Sequence, residues 1–222
     1  MTSAEHRRYI VVEGPIGVGK TSLCQRLAEH LGAETLLEQA EENPFLERYY
    51  QSPRHAALQT QLFFLFQRAR QLQEQRQSDM FAAPVRVADF LMEKDRLFAQ
   101  ITLDDDEFRL YEQVYSSLTI DTPQPDLVIY LQAPVSILME RVNKRGRKFE
   151  RYIEHAYLQK LTDAYTRFFY YYNDSPLLIV NAAEIDLVNN RQDFELLMDR
   201  INQIKSGRHY FNPVPFPDRR SG

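Results

Sequence analysis

The sequence of 222 residues contains one cysteine, Cys24, so an internal disulfide bond is excluded. Its apolar runs, such as LFFLF and LVIYL, are far shorter than the roughly 18 residues that a membrane-spanning helix needs. The start, MTSAEHRRYIVVEG, lacks the apolar core of a signal peptide. A strong charge bias is also missing, because 27 basic and 31 acidic residues give a net charge of -4. We therefore expect a cytoplasmic protein with no membrane role, for which nucleic acid is not the default partner.

The composition is that of a globular protein. Apolar residues make up 44% and charged residues 26%, which excludes extended disorder, collagen and coiled coils. The length predicts one domain, residues 1–211, followed by a loosely ordered tail rich in proline and polar residues, 212–222.

Short β-branched runs alternate with long amphipathic stretches, as in an α/β fold with a parallel sheet. The predicted strands, five in number, are residues 9–13, 34–37, 85–89, 127–132 and 177–181. The predicted helices are residues 20–31, 53–76, 93–100, 107–118, 135–144, 153–173 and 191–205. The acidic run at residues 104–106 is interpreted as a helix N-terminal cap rather than a metal site.

A glycine-rich loop follows the first predicted strand. Residues 14–21 read Gly-Pro-Ile-Gly-Val-Gly-Lys-Thr and match G-x-x-x-x-G-K-[ST] between a strand and a helix. Backbone N–H groups of such a loop face phosphate oxygens, Lys20 adds a cation, and the Thr21 hydroxyl can ligate magnesium. This context favours a three-layer P-loop NTPase fold over a turn that only joins two elements. The expected triphosphate-binding residues are Gly14, Pro15, Ile16, Gly17, Val18, Gly19, Lys20, Thr21 and Ser22.

The loop alone does not decide between kinases, ATPases and GTPase switches. A GTPase would normally carry an Asn-Lys-x-Asp motif, and the only Asn-Lys pair here, at residues 143–144, is followed by Arg-Gly. The sequence therefore disfavours a GTPase switch.

Two carboxylates, Glu38 and Asp89, follow the second and third predicted strands. Ligands gather at the carboxyl ends of strands in open α/β sheets, so both acids could face the phosphate loop. One carboxylate could orient an acceptor hydroxyl and take its proton, while the other could anchor Mg²⁺, with Asp89 on the magnesium side. Taken singly, each acid could instead be a helix cap or a solvated turn residue.

A third motif is the basic segment Arg141–Arg151, with six cations in eleven residues. Its spacing alone is compatible with a solvated helix face, with an RNA-binding strip, or with a mobile lid whose arginines neutralise a transferred phosphoryl group.

Together these motifs resemble the deoxyribonucleoside kinases, a P-loop family related to thymidylate kinase, from Tyr9 to about Lys205. The second strand leads into Leu-Leu-Glu38-Gln-Ala-Glu-Glu-Asn43-Pro-Phe-Leu, which is similar to the family's glutamate followed by Asn-Pro-Phe-Leu. The resemblance implies that Glu38 is the general base that accepts the 5′-hydroxyl proton.

Other matches concern the acceptor and the lid. Tyr50-Gln-Ser-Pro resembles the start of the family's Tyr-x-x-Pro block, which ends here in Gln61. Arg68 follows Gln61 by seven residues, and Asp95 follows Asp89 by six. Both spacings resemble those of the family. The resemblance implies that Tyr50 contacts the sugar 3′-hydroxyl and that Gln61, Arg68 and Asp95 contact the base. An R-x-x-x-R-G-R pattern implies lid arginines, with the lid at about residues 143–152. These arginines are Arg141, Arg145 and Arg147.

One departure concerns the residue after Asp89. Many family members have Arg-Ser there, and this chain has Phe90-Leu91, so the cation that holds the acceptor glutamate is not identified. Residues 87–99 nevertheless resemble a bacterial branch of deoxyadenosine and deoxyguanosine kinases.

The resemblance implies a cytoplasmic enzyme of deoxynucleoside salvage that uses ATP and Mg²⁺ to phosphorylate the 5′-hydroxyl of a deoxyribonucleoside, with a purine base. It also implies a homodimer, and the helices at 53–76 and 107–118 could leave an apolar stripe for one. The alternatives are a thymidylate-like nucleoside monophosphate kinase and a non-catalytic nucleotide switch, although the thymidylate kinase motif Asp-Arg-Tyr is missing after the third strand.

Overall fold

The apolar runs of the sequence form one parallel sheet. The computed structural model describes residues 9–78, 85–118 and 122–213, and in these residues the strand order is β2-β3-β1-β4-β5-β6. The strands are β1 (Tyr9–Glu13), β2 (Glu34–Leu36), β3 (Arg86–Ala88), β4 (Leu127–Gln132), β5 (Leu177–Asn181) and β6 (Arg208–Phe211). All neighbouring strands run parallel.

The sheet has six strands in the described residues, so the expected number of five was too low. The additional strand, β6, lies at the sheet edge and reads Arg-His-Tyr-Phe, with exposed and half-buried residues in alternation. Its pairing with β5 comes from backbone hydrogen bonds. A strand without a β-branched run gives little signal in the sequence.

Helices cover both faces of the sheet, as expected for the three-layer α/β class. They are α1 (Lys20–Leu31), α2 (Leu46–Gln51), α3 (Ala57–Ser78), α4 (Lys94–Thr102), α5 (Asp105–Ser117), α6 (Val135–Arg145), α7 (His155–Tyr171) and α8 (Arg191–Gln203). Short 3₁₀ segments lie at Ala40–Glu42, Pro53–His55 and Lys148–Tyr152. Within the parts of the chain that the structure describes, none of these helices combines the length and apolarity needed to cross a bilayer.

The acidic run at 104–106 does begin a helix. Asp104 is the N-cap of α5, its side chain accepts hydrogen bonds from two backbone N–H groups, and Glu107 completes a capping box. Of the expected tail, residues 214–222 lie outside the described residues.

The core lies between the central strands and the helices. All five residues of β1 and the first five of β4 are buried, because helices cover both faces of the sheet there. Cys24 of α1 is fully buried, and its Sγ lies 3.2 Å from the carbonyl oxygen of Ala88, so this cysteine belongs to the packing.

The topology places the ends of β1, β2 and β3 side by side. β1 pairs with β3 on one side and β4 on the other, and the glycine-rich loop leaves from its carboxyl end. This is the point where the strand order changes direction, and ligands of open α/β sheets bind there.

Candidate active site

The glycine-rich loop adopts a conformation that requires glycine at two positions. Gly14 has a φ of +149°, and a Cβ there would lie 2.5 Å from the carbonyl oxygen of Leu131. Gly17 has a φ of +85°, and a Cβ there would lie 2.8 Å from the carbonyl oxygen of Leu138 on α6. The loop is therefore packed closely against β4 and α6 and could not hold this shape with larger residues.

Lys20 folds back over this loop at the start of α1. Its Nζ donates to the carbonyl oxygens of Gly14 at 2.8 Å and Pro15 at 3.3 Å. Burial, and then the ammonium of Lys94, lower the pKa of Lys20 from its ordinary value. The ammonium thus lies over the concave side of the loop, where phosphate oxygens would bind.

Thr21 and Asp89 form the predicted magnesium pair. The Thr21 hydroxyl donates to Asp89 Oδ2 at 2.6 Å, and Asp89 Oδ1 accepts from the backbone N–H of Glu38 at 2.7 Å. Asp89 is 2% exposed, although Thr21 is only half-buried. A hydroxyl and a carboxylate are the hard oxygen donors that Mg²⁺ prefers, so this pair fits the ion.

Glu38 lies beside two cations. Its carboxylate accepts a hydrogen bond from Arg68, and the Nζ of Lys94 lies 3.3 Å from each carboxylate oxygen. Burial alone would raise the pKa of Glu38, but Arg68, Lys94 and the more distant Lys20 outweigh it and hold this pKa below its ordinary value. Glu38 is therefore a carboxylate, able to accept a hydrogen bond or a proton.

Arg68 of α3 joins Glu38 to Asp95 of α4, donating to both carboxylates. Asp95 is fully buried and also accepts from the Tyr111 hydroxyl at 3.1 Å. Burial raises the pKa of Asp95, although Arg68 and Tyr111 oppose this effect. The guanidinium is thus held in a fixed orientation by two acids from different elements.

These groups line a cavity of about 530 Å³ next to the glycine-rich loop. The predicted site residues on its wall are Ile16, Gly17, Lys20, Thr21, Glu38, Tyr50, Gln61, Arg68, Asp89, Arg145 and Arg147. Asp95 lies behind this wall and reaches the cavity through Arg68. The volume falls within the range of small-molecule sites, and its wall combines aromatic side chains with a few polar groups.

Several wall residues were not predicted from the sequence. They are Phe64 and Gln71 of α3, Lys94 and Phe98 of α4, and Phe149. Helical spacing identifies the α3 residues in retrospect, because positions 61, 64, 68 and 71 share one face of the helix.

Tyr50 stands at one end of the cavity. Its ring is stacked against Phe149 at 6.5 Å between centroids, with 8° between the planes, and makes an edge contact with Tyr157. The packing fixes the ring at the junction of α2 with the 3₁₀ segment that follows α6.

Two of the three predicted lid arginines reach the cavity. Arg145 pairs with Glu150, and Arg147 pairs with Glu41 at 3.0 Å and lies 3.8 Å from Glu150. The lid segment, residues 143–152, is therefore connected to the loop after β2 by an ion pair.

Arg141 lies elsewhere. It donates to the carbonyl oxygen of Ala182 at 2.7 Å and contacts the carbonyl oxygen of Val18 at 3.4 Å. It borders a second cavity of about 460 Å³, which Ser22 and Lys144 also line. The structure thus places Arg141 at this second cavity and does not bring it to the cavity that holds Glu38.

Comparisons with known proteins agree with this geometry. The profile of the family described as deoxynucleoside kinase matches residues 10–206. The chain is 34% identical over 203 residues to deoxyguanosine kinase of Bacillus subtilis (strain 168), covering 88% of this chain and 97% of the relative. It is 30% identical to deoxyadenosine kinase of Lactobacillus acidophilus, covering 87% of this chain and 94% of the relative.

A solved structure agrees as well. Deoxyadenosine kinase from M. mycoides with bound dCTP superposes with a TM-score of 0.74 and 26% sequence identity, covering 88% of this chain and all of the other. The resemblance seen in the motifs is confirmed over almost the whole length. The chain belongs to the deoxynucleoside kinase family and is an ATP-dependent kinase of deoxynucleosides.

Proposed function

We propose that the deoxynucleoside binds in the 530 Å³ cavity with its 5′-hydroxyl toward Glu38 and the phosphate loop. The observation that carries this proposal is that Lys20, Thr21 and Glu38 line the same cavity. A triphosphate held by the loop and a hydroxyl beside Glu38 would meet there, which is the positioning that phosphoryl transfer requires.

In this proposal Glu38 orients the 5′-hydroxyl and accepts its proton. The 5′-oxygen then bonds to the γ-phosphorus of ATP as the bond from that phosphorus to the β,γ-bridging oxygen breaks, and ADP leaves. Lys20 contacts the phosphate oxygens that gain charge in the loose transition state, and the lid residues Arg145 and Arg147 neutralise charge and exclude water. Thr21 and Asp89 would hold Mg²⁺, which neutralises phosphate charge when it is bound. Arg141, on the donor side, would contact the triphosphate.

The acceptor would be recognised at both its sugar and its base. Tyr50 lies where a sugar hydroxyl could be contacted, and Gln61, which is 3% exposed, presents its amide from the cavity wall. Arg68, held in place by Asp95 behind the cavity wall, presents its guanidinium to the base edge. We propose a purine base, which is supported by the names of the relatives, a deoxyguanosine kinase and a deoxyadenosine kinase.

The test is product formation from ATP labelled in the γ position. The protein is incubated with nucleosides, deoxynucleosides and monophosphates, and products are separated by chromatography. Deoxyadenosine or deoxyguanosine should give a higher kcat/KM than thymidine. Thymidine as the best substrate would contradict the purine assignment; products from monophosphates alone would identify a monophosphate kinase, and no product at all would favour the nucleotide switch.

We also infer that the protein is a homodimer and that it acts in the cytoplasm, in deoxynucleoside salvage. Large apolar side chains exposed on the helices support the dimer: Phe66, Leu110, Tyr170 and Tyr171. The buried, unpaired Cys24 is compatible with a reducing compartment. Cell fractionation tests the location.

A further inference from the structure

A buried lysine lies beside the proposed proton acceptor. Lys94 is the first residue of α4, and it is only 3% exposed. Its Nζ lies 3.3 Å from both oxygens of Glu38 and 3.9 Å from Glu13 Oε1. Burial of an ammonium is costly unless anions compensate it, so these two carboxylates explain why the lysine is stable there.

Glu13 is a rigidly held partner of the Lys94 ammonium. It is the last residue of β1, and its carboxylate is fully buried. It accepts hydrogen bonds from the N–H groups of Gly14 at 3.0 Å and Leu91 at 2.8 Å, and from the Tyr165 hydroxyl at 2.9 Å. A carboxylate held by three donors cannot follow a moving partner, so Glu13 fixes the position of the ammonium.

Arg68 binds other groups besides Glu38. Its guanidinium also binds Asp95, and in the proposed function it contacts the base of the substrate. Arg68 therefore divides its donors between Glu38 and other partners. The ammonium of Lys94 pairs with Glu38 and Glu13 and lies near the ring of Phe98.

The chain also lacks the arginine that the resemblance predicts after Asp89. Phe90 occupies that position and is 1% exposed. We propose that Lys94 is the positioning residue of the proton acceptor. Its ammonium, held in place by Glu13, keeps the Glu38 carboxylate oriented toward the 5′-hydroxyl. The cation that orients Glu38 is therefore supplied by the first turn of α4, five residues after Asp89. This role rests on the proposed function of Glu38.

The experiment compares Lys94→Met and Lys94→Arg with wild type. Single-turnover rates of phosphoryl transfer are measured together with the KM for the deoxynucleoside. The exposed Lys160 of α7 provides the matched control Lys160→Met. Circular dichroism and thermal unfolding establish that each variant is folded.

Loss of the ammonium should lower the transfer rate by about 10²-fold, because the acceptor hydroxyl is no longer aligned, with KM changed much less. Lys94→Arg keeps a cation beside Glu38, so it should restore much of the lost rate, and Lys160→Met should match wild type.

A Lys94→Met protein that transfers phosphoryl at the wild-type rate would overturn the proposal, whatever its thermal stability. If this variant does not fold, Lys94→Gln replaces it and is judged in the same way. Glu38→Gln separates the two levels of inference. Full activity of Glu38→Gln would overturn the proton-acceptor assignment, whereas a slow Glu38→Gln together with a normal Lys94→Met would overturn only the role of the lysine.

Discussion

At the scale of residues, charged groups explain most of the site. Glu38, Arg68 and Asp95 were identified from motif spacing, and the structure joins them in one chain of ion pairs. Lys94 and Glu13 were not identified. The run Glu-Lys-Asp-Arg at 93–96 resembles a solvated helix start, but residues 94 and 95 are buried while 93 and 96 are exposed. Only the packing of α4 against its neighbours decides which charges of such a run are buried.

The role of Glu38 leads to the first prediction. Glu38→Gln keeps the shape of the side chain but cannot accept the 5′-hydroxyl proton, so kcat should fall by roughly 10² to 10⁴ with the deoxynucleoside KM little changed. Steady-state kinetics at saturating ATP measure this effect.

The control for this variant is chosen from the structure. Glu41 and Glu42 lie near Glu38 and are exposed, but Glu41 pairs with the lid residue Arg147 and Glu42 accepts from Gln67. Neither is inert. Glu29 on the exposed face of α1 is a better control, and Glu29→Gln should match wild type. A kcat for Glu38→Gln within a factor of two of wild type would refute the assignment.

At the scale of elements, regular patterns were predicted well and short or composite elements were not. The bounds of β1, β4, β5 and α1 agree with the expected ranges. The stretch expected as one helix from residue 53 is a 3₁₀ turn at Pro53–His55 followed by α3 from Ala57, because the backbone of Ala56 between them is not helical. The six-residue α2 was missed, since fewer than two turns give no periodic signal.

The lid segment leads to a prediction about two arginines and a neighbour. Arg145→Ala and Arg147→Ala should lower kcat by about 10³-fold or more, by analogy with arginine fingers, while the deoxynucleoside KM changes little. Arg151 belongs to the same basic segment but pairs at the surface with Glu47 and does not line the cavity. Arg151→Ala is therefore the matched control and should retain activity.

The same variants test the RNA-binding interpretation of the basic segment. An RNA strip would depend on the number of cations, so all three arginines would contribute about equally to salt-dependent binding of a polynucleotide. Full kinase activity of Arg145→Ala and Arg147→Ala, combined with loss of such binding, would show that the segment is not a catalytic lid. The structure favours the lid interpretation, because Arg145 and Arg147 line the cavity and Arg151 does not.

At the scale of the whole molecule, the fold class followed from two features of the sequence. The glycine-rich loop placed between a strand and a helix, and the alternation of strands with helices, predict a parallel sheet covered on both sides. Strand order and the depth of each charged group depend on long-range packing, which local patterns do not encode. This is why the cavity itself emerged only from the structure. It is formed by the phosphate loop, α1, β2 and the loop after it, α2, α3, Asp89, α4 and the lid segment.

The proposed dimer concerns the surface of the whole molecule. Two sets of exposed apolar side chains are candidates for its interface. Phe66 and Leu110 lie on α3 and α5, within the stretches that the sequence indicated. Tyr171 is 75% exposed on α7 and borders a groove of about 490 Å³ between α4 and α7, lined also by Leu97 and Ile101. The α4–α7 face combines exposed aromatic side chains with an apolar-lined groove, and exposed apolar surfaces of this kind mark protein interfaces.

We therefore expect wild-type protein to sediment at twice its chain mass of 26.2 kDa, and Tyr171→Glu to shift it toward the monomer because a carboxylate would be buried at the interface. Leu110→Glu is the comparison variant, and it should leave the mass unchanged. Analytical ultracentrifugation at several protein concentrations measures all three. A shift in Leu110→Glu alone would move the interface to α5. A wild-type monomer at micromolar concentration would refute the dimer without affecting the active site, because every charged residue of the Glu38 cluster comes from one chain.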